Sequence, residues 1–553
     1  MKILVITGNL AAPLVKNMAK KIIAKKPEDE IIVHVADTQI AAFLTPNRII
    51  KEIKNSYSSD LEEIDMIIVP GLIRKPSTEI AEALGVPTFK GPTDAADLEM
   101  VFELINEIEL SETKTADRLI EEEKQKKAIE FIYSFESDIK LREKLLKKPN
   151  NILVGKLAIG EDFPMRVLAE IANAPSLTKE ELISKAKYFC DNGADMIDIG
   201  MIAGENMSHK IPELIAILRE VIGDRPLSID TLNPNELKVA IQHDIDLVLS
   251  LDLGNYNEVL PLLKEKAIPA VLLPTNYKKG FVSHKPHERV EAMNELIEKC
   301  QGIDVIVDMV LDPINSNSIV DSIVACREFK KNDKKSRDLP LFFGVGNVTE
   351  LLDVDSPGVN SLLSGIAMEL GASVLFTPDE SGKTWNSVYE LAISSKMMFL
   401  AKNRGSIPKD LGLNLVLFKD KKKRQKEIAI ESSGAIGDID GKNNVPVYIA
   451  ENDPKFVHDS EGSFKINVIH GTRYDKSKII VTHFKKGIAD LAIEGTDYRK
   501  IYNEILERNL LSQFEHAAYL GAELQKAEIA MITGKEYIQD FELFKKPLIF
   551  DNF

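Results

Sequence analysis

The stretch TKEELISKAKYFCDNGADMIDIG, residues 178–200, holds one helix and the strand that follows it, and this alternation decides the fold. Thr178, with a glutamate three residues later, has the spacing of a capping box, which satisfies free N–H groups of a first helical turn. Asn192-Gly193 supplies a helix stop. The run Met196–Gly200 is short and mostly apolar, which predicts a parallel strand covered on both faces.

Eight short apolar runs of this kind occur between residues 166 and 401, and each leads into a stretch of helical periodicity. They are Val167–Ile171, Met196–Gly200, Leu227–Asp230, Leu247–Leu251, Ala270–Leu273, Val305–Asp308, Leu341–Gly344 and Val374–Thr377. Eight strand-then-helix units over roughly 230 residues are what a (β/α)8 barrel requires. A doubly wound open sheet is the alternative, but its Gly-rich first turn is absent. We therefore predict an α/β protein with a central (β/α)8 TIM barrel.

The C-terminal ends of barrel strands, where such folds bind ligands, carry carboxylates and amides and almost no Lys or Arg. They are Glu170, Asn173, Asp198, Asp230, Asp252, Asn276, Asp308, Asp312, Asn347, Asp379 and Glu380. Such a lining suits a neutral or weakly cationic ligand rich in N–H donors, because carboxylates accept hydrogen bonds strongly. It suits a free phosphate poorly.

Four motifs within about 155–400 carry a family resemblance. They are "GADMIDIG" (Gly193–Gly200), "PLSIDT" (Pro226–Thr231), "LDP" (Leu311–Pro313) and "GVGNVT" (Gly344–Thr349). In this order they resemble the motif series of the pterin-binding barrels. That superfamily holds dihydropteroate synthases and the methyltransferases that use methyl-tetrahydrofolate or methyl-tetrahydromethanopterin. The whole chain is most similar to the archaeal dihydropteroate synthase-related proteins.

The resemblance implies a set of pterin-binding residues, namely Asp198, Asp230, Asp252, Asp312, Gly344 and Asn347. Asp312 matches by position the aspartate that reads the 2-amino-pyrimidinone edge of the pterin, where a carboxylate can accept two N–H donors at once. Asp230 matches the aspartate after the third strand, and Asp230 and Asn347 are the expected catalytic residues. Asp252 or Ser250 occupies the region where the family usually has a pterin-binding asparagine.

The positions after the last two strands depart from the dihydropteroate synthase pattern. A Ser-Arg-Lys run is replaced by Gly346-Asn347-Val348, and an Arg-x-His by Pro378-Asp379-Glu380. The methyltransferase branch carries asparagine at the first of these places, and its amide hydrogen-bonds the pterin near the methylated nitrogen. Asn347 therefore favours methyl transfer, whereas overall similarity favours the synthase-related group.

The resemblance implies a transferase for which a reduced pterin is the substrate or the methyl donor. We expect first a dihydropteroate synthase-like enzyme that joins a 6-methylene dihydropterin to an arylamine in folate or tetrahydromethanopterin biosynthesis. One alternative is methyl transfer from methyl-tetrahydromethanopterin or methyl-tetrahydrofolate to a thiol or to a corrinoid protein as partner. The other is a non-catalytic pterin-binding protein. Mg²⁺ is compatible with the acidic mouth, but we predict no set of metal ligands and no tightly bound cofactor.

The predicted barrel occupies residues 151–405 and is flanked by three further regions. Residues 1–108 should form an open-sheet α/β domain, with strands Lys2–Thr7, Ile31–Val35 and Met66–Pro70 and helices Ala11–Ala24 and Thr45–Asn55. Residues 109–150, dense in Glu and Lys, should form a charged helical linker.

Residues 406–553 should form a C-terminal α+β domain. Its predicted strands are Leu413–Phe418, Val445–Ile449, Phe464–Val468 and Lys478–Phe484, followed by helices Asp497–Asn509 and Ser512–Thr533.

The composition excludes several partners. A net charge of −16 argues against nucleic acid and anionic membranes, since both bind cationic surfaces. Neither an N-terminal signal pattern nor a run of about 18 apolar residues is present, so we expect no membrane segment. The 3 cysteines lack disulfide or metal spacing, as is usual in a reducing cytoplasm, where we place the protein. By analogy with other pterin barrels we expect a homodimer.

Overall fold

A computed structural model describes residues 1–105, 108–332, 336, 338–419, 450 and 458–544, and the backbone of residues 435–437 and 444–446. The chain divides into two compact units. The first comprises Met1–Ser134 and Asp410–Asn452, and the second Phe135–Lys409 and Asp453–Phe553. The four-part division expected from the sequence stays a prediction.

The first unit contains a four-stranded parallel sheet with helices on both faces. In spatial order its strands are Glu30–Val35, Lys2–Thr7, Met66–Val69 and Thr88–Lys90, and its helices are Ala12–Lys25, Pro46–Tyr57, Thr78–Leu84 and Leu98–Glu103. Two separate apolar clusters cover the two faces of the sheet. The predicted open-sheet domain is therefore confirmed, and its fourth strand and last two helices were not predicted. The strands Ala435–Gly437 and Asn444–Pro446 form a separate antiparallel pair.

The charged region contains two helices. They are Ala116–Ser137 and Ile139–Leu145, as the sequence predicts for this region. Among the described residues, no helix has both the length and the apolar character that crossing a membrane requires.

Eight parallel strands of the second unit close into a barrel, which confirms the predicted TIM barrel. In chain order, barrel strands 1–8 are Arg166–Ile171, Met196–Gly200, Leu227–Asp230, Leu247–Leu251, Ala270–Leu272, Val305–Asp308, Leu341–Phe343 and Ala372–Thr377. Every predicted run coincides with one of these strands, because strands buried on both faces are nearly continuous apolar segments.

Helices alternate with the barrel strands. They are Lys179–Asp191, Ile211–Ile222, Pro234–Gln242, Tyr256–Lys266, Pro286–Lys299, Ile319–Asn332, Gly346–Thr349, Ser356–Leu370 and Ser387–Arg404. The predicted capping box is formed: the N–H of Glu181 donates to Thr178 Oγ1 at 3.3 Å, and the N–H of Thr178 donates to Glu181 Oε2 at 2.8 Å. A two-stranded ribbon, Thr275–Asn276 with Phe281–Val282, follows strand 5.

Alternate residues of the barrel strands pack into two different cores. Leu168, Met196 and Ile306 belong to the interior cluster, whereas their neighbours along each strand pack against the helices. The hairpin Asn151–Val154 and Leu157–Gly160 adds apolar side chains to the interior cluster. Its turn approaches the residues that precede strands 3 and 4. The hairpin therefore closes the barrel at the N-terminal ends of the strands and leaves the opposite end open.

The C-terminal part of the second unit is an α+β structure. Its antiparallel sheet contains Ser463–Ile469, Lys478–Lys485 and Ile488–Gly495, and the helices Tyr498–Glu507 and Phe514–Thr533 follow. The predicted strands Phe464–Val468 and Lys478–Phe484 lie within the first two strands of this sheet, and the third strand was not predicted.

The predicted strand Leu413–Phe418 is wrong. Residues 413–418 have no regular structure, and Val416, Leu417 and Phe418 are exposed. The predicted strand Val445–Ile449 overlaps Asn444–Pro446, and its remaining residues lie outside the described part of the chain.

The C-terminal sheet contacts the end of the first barrel helix. Asn192, which is buried, donates from Nδ2 to the Thr472 carbonyl oxygen at 2.6 Å. Lys476 Nζ lies 2.5 Å from Asp191 Oδ2, and the Thr472 hydroxyl donates to the same oxygen. These polar contacts join the C-terminal sheet to the barrel.

A buried carboxylate, Asp459, connects the start of the C-terminal domain to its last helix. It accepts hydrogen bonds from the N–H groups of Glu461 at 3.0 Å, Ser512 at 2.9 Å and Gln513 at 3.2 Å. The Ser512 hydroxyl at 2.6 Å and His516 Nδ1 at 3.0 Å complete its shell. One side chain therefore satisfies several groups that would otherwise be buried without partners.

We predict that Asp459→Ala loosens this connection locally. Buried donors left without an acceptor should lower the free energy of local opening by about 2 kcal/mol, roughly thirtyfold in exchange rate. Hydrogen exchange read by mass spectrometry on peptides around residues 459 and 512–516 measures this. Asp475→Ala, which removes an exposed carboxylate paired only with Arg473, is the control and should leave those peptides unchanged. Equal exchange in both variants would contradict the assignment.

Candidate active site

Carboxylates occupy the inward-facing positions at the open end of the barrel. Glu170 and Asp198 each stand two residues beyond Leu168 and Met196, whose side chains lie in the barrel interior, and side-chain direction alternates along a strand. The strand register pairs Glu170 with Asp198, and Gly200 with Asp230. Strands 1, 2 and 3 therefore bring three carboxylates together above an apolar core.

These three residues, Glu170, Asp198 and Asp230, form what we term the carboxylate cluster. One oxygen of each lies within 4.8 Å of the other two. The Ser228 hydroxyl donates to Asp198 Oδ1, whereas Asp198 Oδ2 is buried and has no hydrogen-bond partner. Within the described residues, the side chains of Glu170 and Asp230 accept no hydrogen bond either.

Burial raises the pKa of all three carboxyl groups. It raises the pKa of Glu170 to about 8, aided by the charges of Asp230 and Glu380, and the pKa of Asp230 to about 6. The pKa of Asp198 lies well above its ordinary value for the same reason. Asp308, at the end of strand 6, has a pKa raised to about 7 by burial. Without a bound cation, the mouth therefore retains protons near neutral pH.

Gly200 makes room for the cluster. A Cβ at this position would lie 2.2 Å from Glu170 Oε1 and 3.0 Å from its carboxyl carbon. Any larger residue would therefore force the Glu170 carboxylate to move. The glycine of the "GADMIDIG" motif thus has a steric role at the mouth.

Asp312 is held by a buried arginine. The Arg289 guanidinium is ion-paired with Asp312 Oδ2, to which the Ser322 hydroxyl also donates at 3.0 Å. Arg289 is only 1% exposed, and its other N–H groups donate to the carbonyl oxygens of Ser283 at 2.8 Å and Val310 at 2.6 Å. Within the part of the chain that the structure describes, Asp312 Oδ1 accepts only from Asn317 Nδ2, at 3.2 Å, and it can accept another donor.

Asn347 lies beside Asp312. Its Nδ2 donates to the carbonyl oxygen of Leu311 at 3.1 Å, which joins the loops after strands 6 and 7. A Cβ at Gly344 would lie 2.9 Å from the same Nδ2, so the glycine leaves space for this amide. The side chain of Asn347 is exposed. The structure thus places Asp312, Gly344 and Asn347 together.

Asp252 has a different environment from the other predicted residues. It is fully buried, and its Oδ1 accepts from the N–H groups of Gly254 at 2.7 Å and Asn255 at 3.1 Å. Its Oδ2 accepts from the N–H of Tyr277 at 2.6 Å and from the Thr275 hydroxyl at 3.1 Å. These four hydrogen bonds orient the loop after strand 4 and leave little capacity for a ligand.

Arg289 and the cluster as a unit were not recognised in the sequence. Glu170 and Asp308 were placed at the mouth but given no role. One signal was available, because Arg289 shares the apolar face of its helix with Met293 and Leu296, which are both buried. A charged residue on such a face must have a buried partner.

Two family models match this chain. The model described as Pterin binding enzyme matches residues 173–365, and the model described as PterinBD-DUF4346 matches residues 458–540. The first contains the mouth residues of strands 2–7, and the second covers the C-terminal sheet and its helices.

Solved structures of dihydropteroate synthases are similar to part of the chain. The enzyme of Yersinia pestis with a pterine-sulfa conjugate is 15% identical and has a TM-score of 0.37, covering 46% of this chain and 99% of that one. The enzyme of Xanthomonas albilineans with 4-aminobenzoic acid is 16% identical, with a TM-score of 0.37, covering 47% and 100%.

A relative from Methanocaldococcus jannaschii, the uncharacterized protein MJ0107, is similar along the whole length. It is 44% identical over 553 residues, which cover 98% of this chain and 99% of the relative. Its similarity includes the N-terminal sheet and the C-terminal domain as well as the barrel. This chain therefore belongs to the archaeal dihydropteroate synthase-related family of pterin-binding barrel proteins.

Proposed function

We propose that the barrel mouth binds a reduced pterin and that the chain is a transferase of the dihydropteroate synthase type. The observation that carries this proposal is the Asp312 carboxylate, which Arg289 and Ser322 hold in one orientation. The 2-amino-pyrimidinone edge of a pterin offers N–H donors, and an oriented carboxylate accepts them in charge-assisted hydrogen bonds. The free capacity of Oδ1 suits this edge.

The residues of the mouth would act mainly by positioning. With Asp312 and Asp230 holding the ring, the nitrogen of an arylamine attacks the 6-methylene carbon, and the bond from that carbon to its leaving group breaks. The leaving group departs with the bonding electron pair, and the amine proton passes to a carboxylate of the mouth. Alignment of the two reactants in a site from which water is excluded supplies much of the rate.

Methyl transfer from a methyl-tetrahydropterin is the second candidate, and Asn347 is the observation that favours it. Its Nδ2 is oriented by the Leu311 carbonyl oxygen, and its side chain is exposed at the mouth. An amide in this place could hydrogen-bond the ring nitrogen that carries the methyl group. The acceptor would be a thiol or a corrinoid protein.

We predict that Asp312→Asn weakens pterin binding at least tenfold. The amide nearly keeps the shape of the carboxylate but loses the charge that strengthens hydrogen bonds to the ligand, a change of about 1.5 kcal/mol or more. Asparagine is preferable to alanine, because alanine would remove the acceptor to which the buried Arg289 Nη2 donates. Isothermal titration calorimetry with a 6-hydroxymethyl dihydropterin measures the affinity.

The matched control for this substitution is Asp244→Asn. Asp244 is exposed, precedes strand 4 at the closed end of the barrel, and has a φ of 60°, which asparagine tolerates. It should bind the pterin as the unmodified protein does. An Asp312→Asn protein that retains full affinity would remove the basis of the proposal.

The two reactions are separated by comparing ligands. We predict that the protein binds a dihydropterin with a 6-methylene leaving group more tightly than a methyl-tetrahydropterin, and that Asn347→Ala changes the first affinity little. A preference for the methylated ligand that Asn347→Ala lowers about tenfold, the loss of roughly one hydrogen bond, would establish the second candidate instead. Asn403→Ala, at the exposed end of the last barrel helix, serves as the control.

A further inference from the structure

We propose that the carboxylate cluster is a binding site for one hard divalent cation of the Mg²⁺ or Mn²⁺ class. Glu170, Asp198 and Asp230 would each provide one oxygen ligand, and the remaining positions would be open to water or to a ligand at the mouth. The inference rests on the geometry of these three residues and not on the proposed reaction. Asp230, which the proposed function also places against the pterin ring, would give one oxygen to the cation and keep the other for the ring.

The spacing of the oxygens suits one shared ion. Two oxygens on an octahedral Mg²⁺ lie about 3 Å apart when they are adjacent and about 4.2 Å apart when they are opposite. One oxygen from each residue lies within 4.8 Å of the other two. Small side-chain movements would therefore bring all three into the first coordination shell.

The unpartnered oxygen of Asp198 points to a missing ligand. Asp198 is fully buried, and its Oδ2 has neither a hydrogen-bond donor nor water access, although its Oδ1 accepts from Ser228. A buried carboxylate oxygen without a partner is costly, and a cation would remove that cost. The Asp198 side chain lies on the inward side of strand 2, where the cluster is formed.

No side chain of the described chain neutralises the cluster. None of the three carboxylates forms an ion pair with a described Lys or Arg. Lys185, whose charge acts on Glu170, is itself paired with Glu380. The buried Arg289 is paired with Asp312 on another loop. Three adjacent carboxylates without a cation repel one another, so their arrangement favours a bound positive charge.

Gly200 leaves the space that the Glu170 carboxylate occupies. A Cβ here would overlap Glu170 Oε1, so a larger residue would force the carboxylate of strand 1 to move. The donor set consists of carboxylate oxygens alone, which selects hard cations over Zn²⁺ or Cu²⁺, both of which prefer nitrogen or sulfur ligands.

The first test is a titration of the whole protein with Mn²⁺. The electron paramagnetic resonance signal of free Mn²⁺ measures how much of the ion remains unbound. We expect one tight Mn²⁺ per chain, competed by Mg²⁺, and an affinity at least tenfold lower in Asp198→Asn. Asp244→Asn removes one carboxylate far from the mouth and should bind Mn²⁺ like the unmodified protein. The absence of a tight site, or equal binding in Asp198→Asn, would overturn the inference.

A second pair of variants tests the geometry without removing any carboxylate. Gly200→Ala should weaken Mn²⁺ binding at least tenfold by displacing Glu170. Gly358→Ala is the matched control, because a Cβ at that helical position would meet no atom within 4 Å. If Asp198→Asn does not fold, Glu170→Gln replaces it with the same expected loss. Unchanged Mn²⁺ binding in Gly200→Ala and Glu170→Gln would contradict the site.

Pterin binding in the presence of EDTA separates this inference from the proposed function. Pterin affinity that depends on Asp312, in a protein with no tight Mn²⁺ site, would overturn the cation site and leave the proposed function standing. Tight Mn²⁺ binding that depends on Asp198, without pterin binding, would support the cation site and remove the proposed function.

Discussion

The alternation of side chains along parallel strands is the constraint on which the rest of this structure depends. Residues of one parity fill the barrel interior, and those of the other pack against the helices. At the closed end the inward residues are apolar and meet the hairpin. At the open end the same positions hold Glu170, Asp198 and Asp230, so a single register fixes both the core and the position of the acidic side chains.

The cost of buried charge is met in two ways at the mouth. Asp312 is neutralised by Arg289, whose remaining N–H groups are used by backbone carbonyl oxygens, so that pair forms a fixed structural element. Among the described residues no Lys or Arg is ion-paired with the carboxylate cluster, and burial raises the pKa of Glu170 and Asp230. The first arrangement orients an acceptor for a ligand. The second leaves negative charge that only protons or an external cation can balance.

Local sequence patterns predicted the barrel well because buried parallel strands are short continuous apolar runs, and each is bounded by recognisable helix signals. They failed where structure depends on distant partners. The strand Ile488–Gly495 was missed because most of its side chains are exposed, and Leu413–Phe418 was wrongly predicted because an apolar run needs a neighbour to pair with. The pairing of Arg289 with Asp312 joins residues from a helix and a later loop, so no local spacing reveals it.

The contact of the C-terminal sheet with Asp191 and Asn192 makes the barrel and the C-terminal sheet depend on each other. Thr472 and Lys476 satisfy polar groups at the end of the first barrel helix, and Asn192 is buried beneath them. A barrel that ended after residue 405 would present these groups to water and lose its covering. A substitution at one of these contacts is therefore expected to affect both the barrel and the C-terminal sheet.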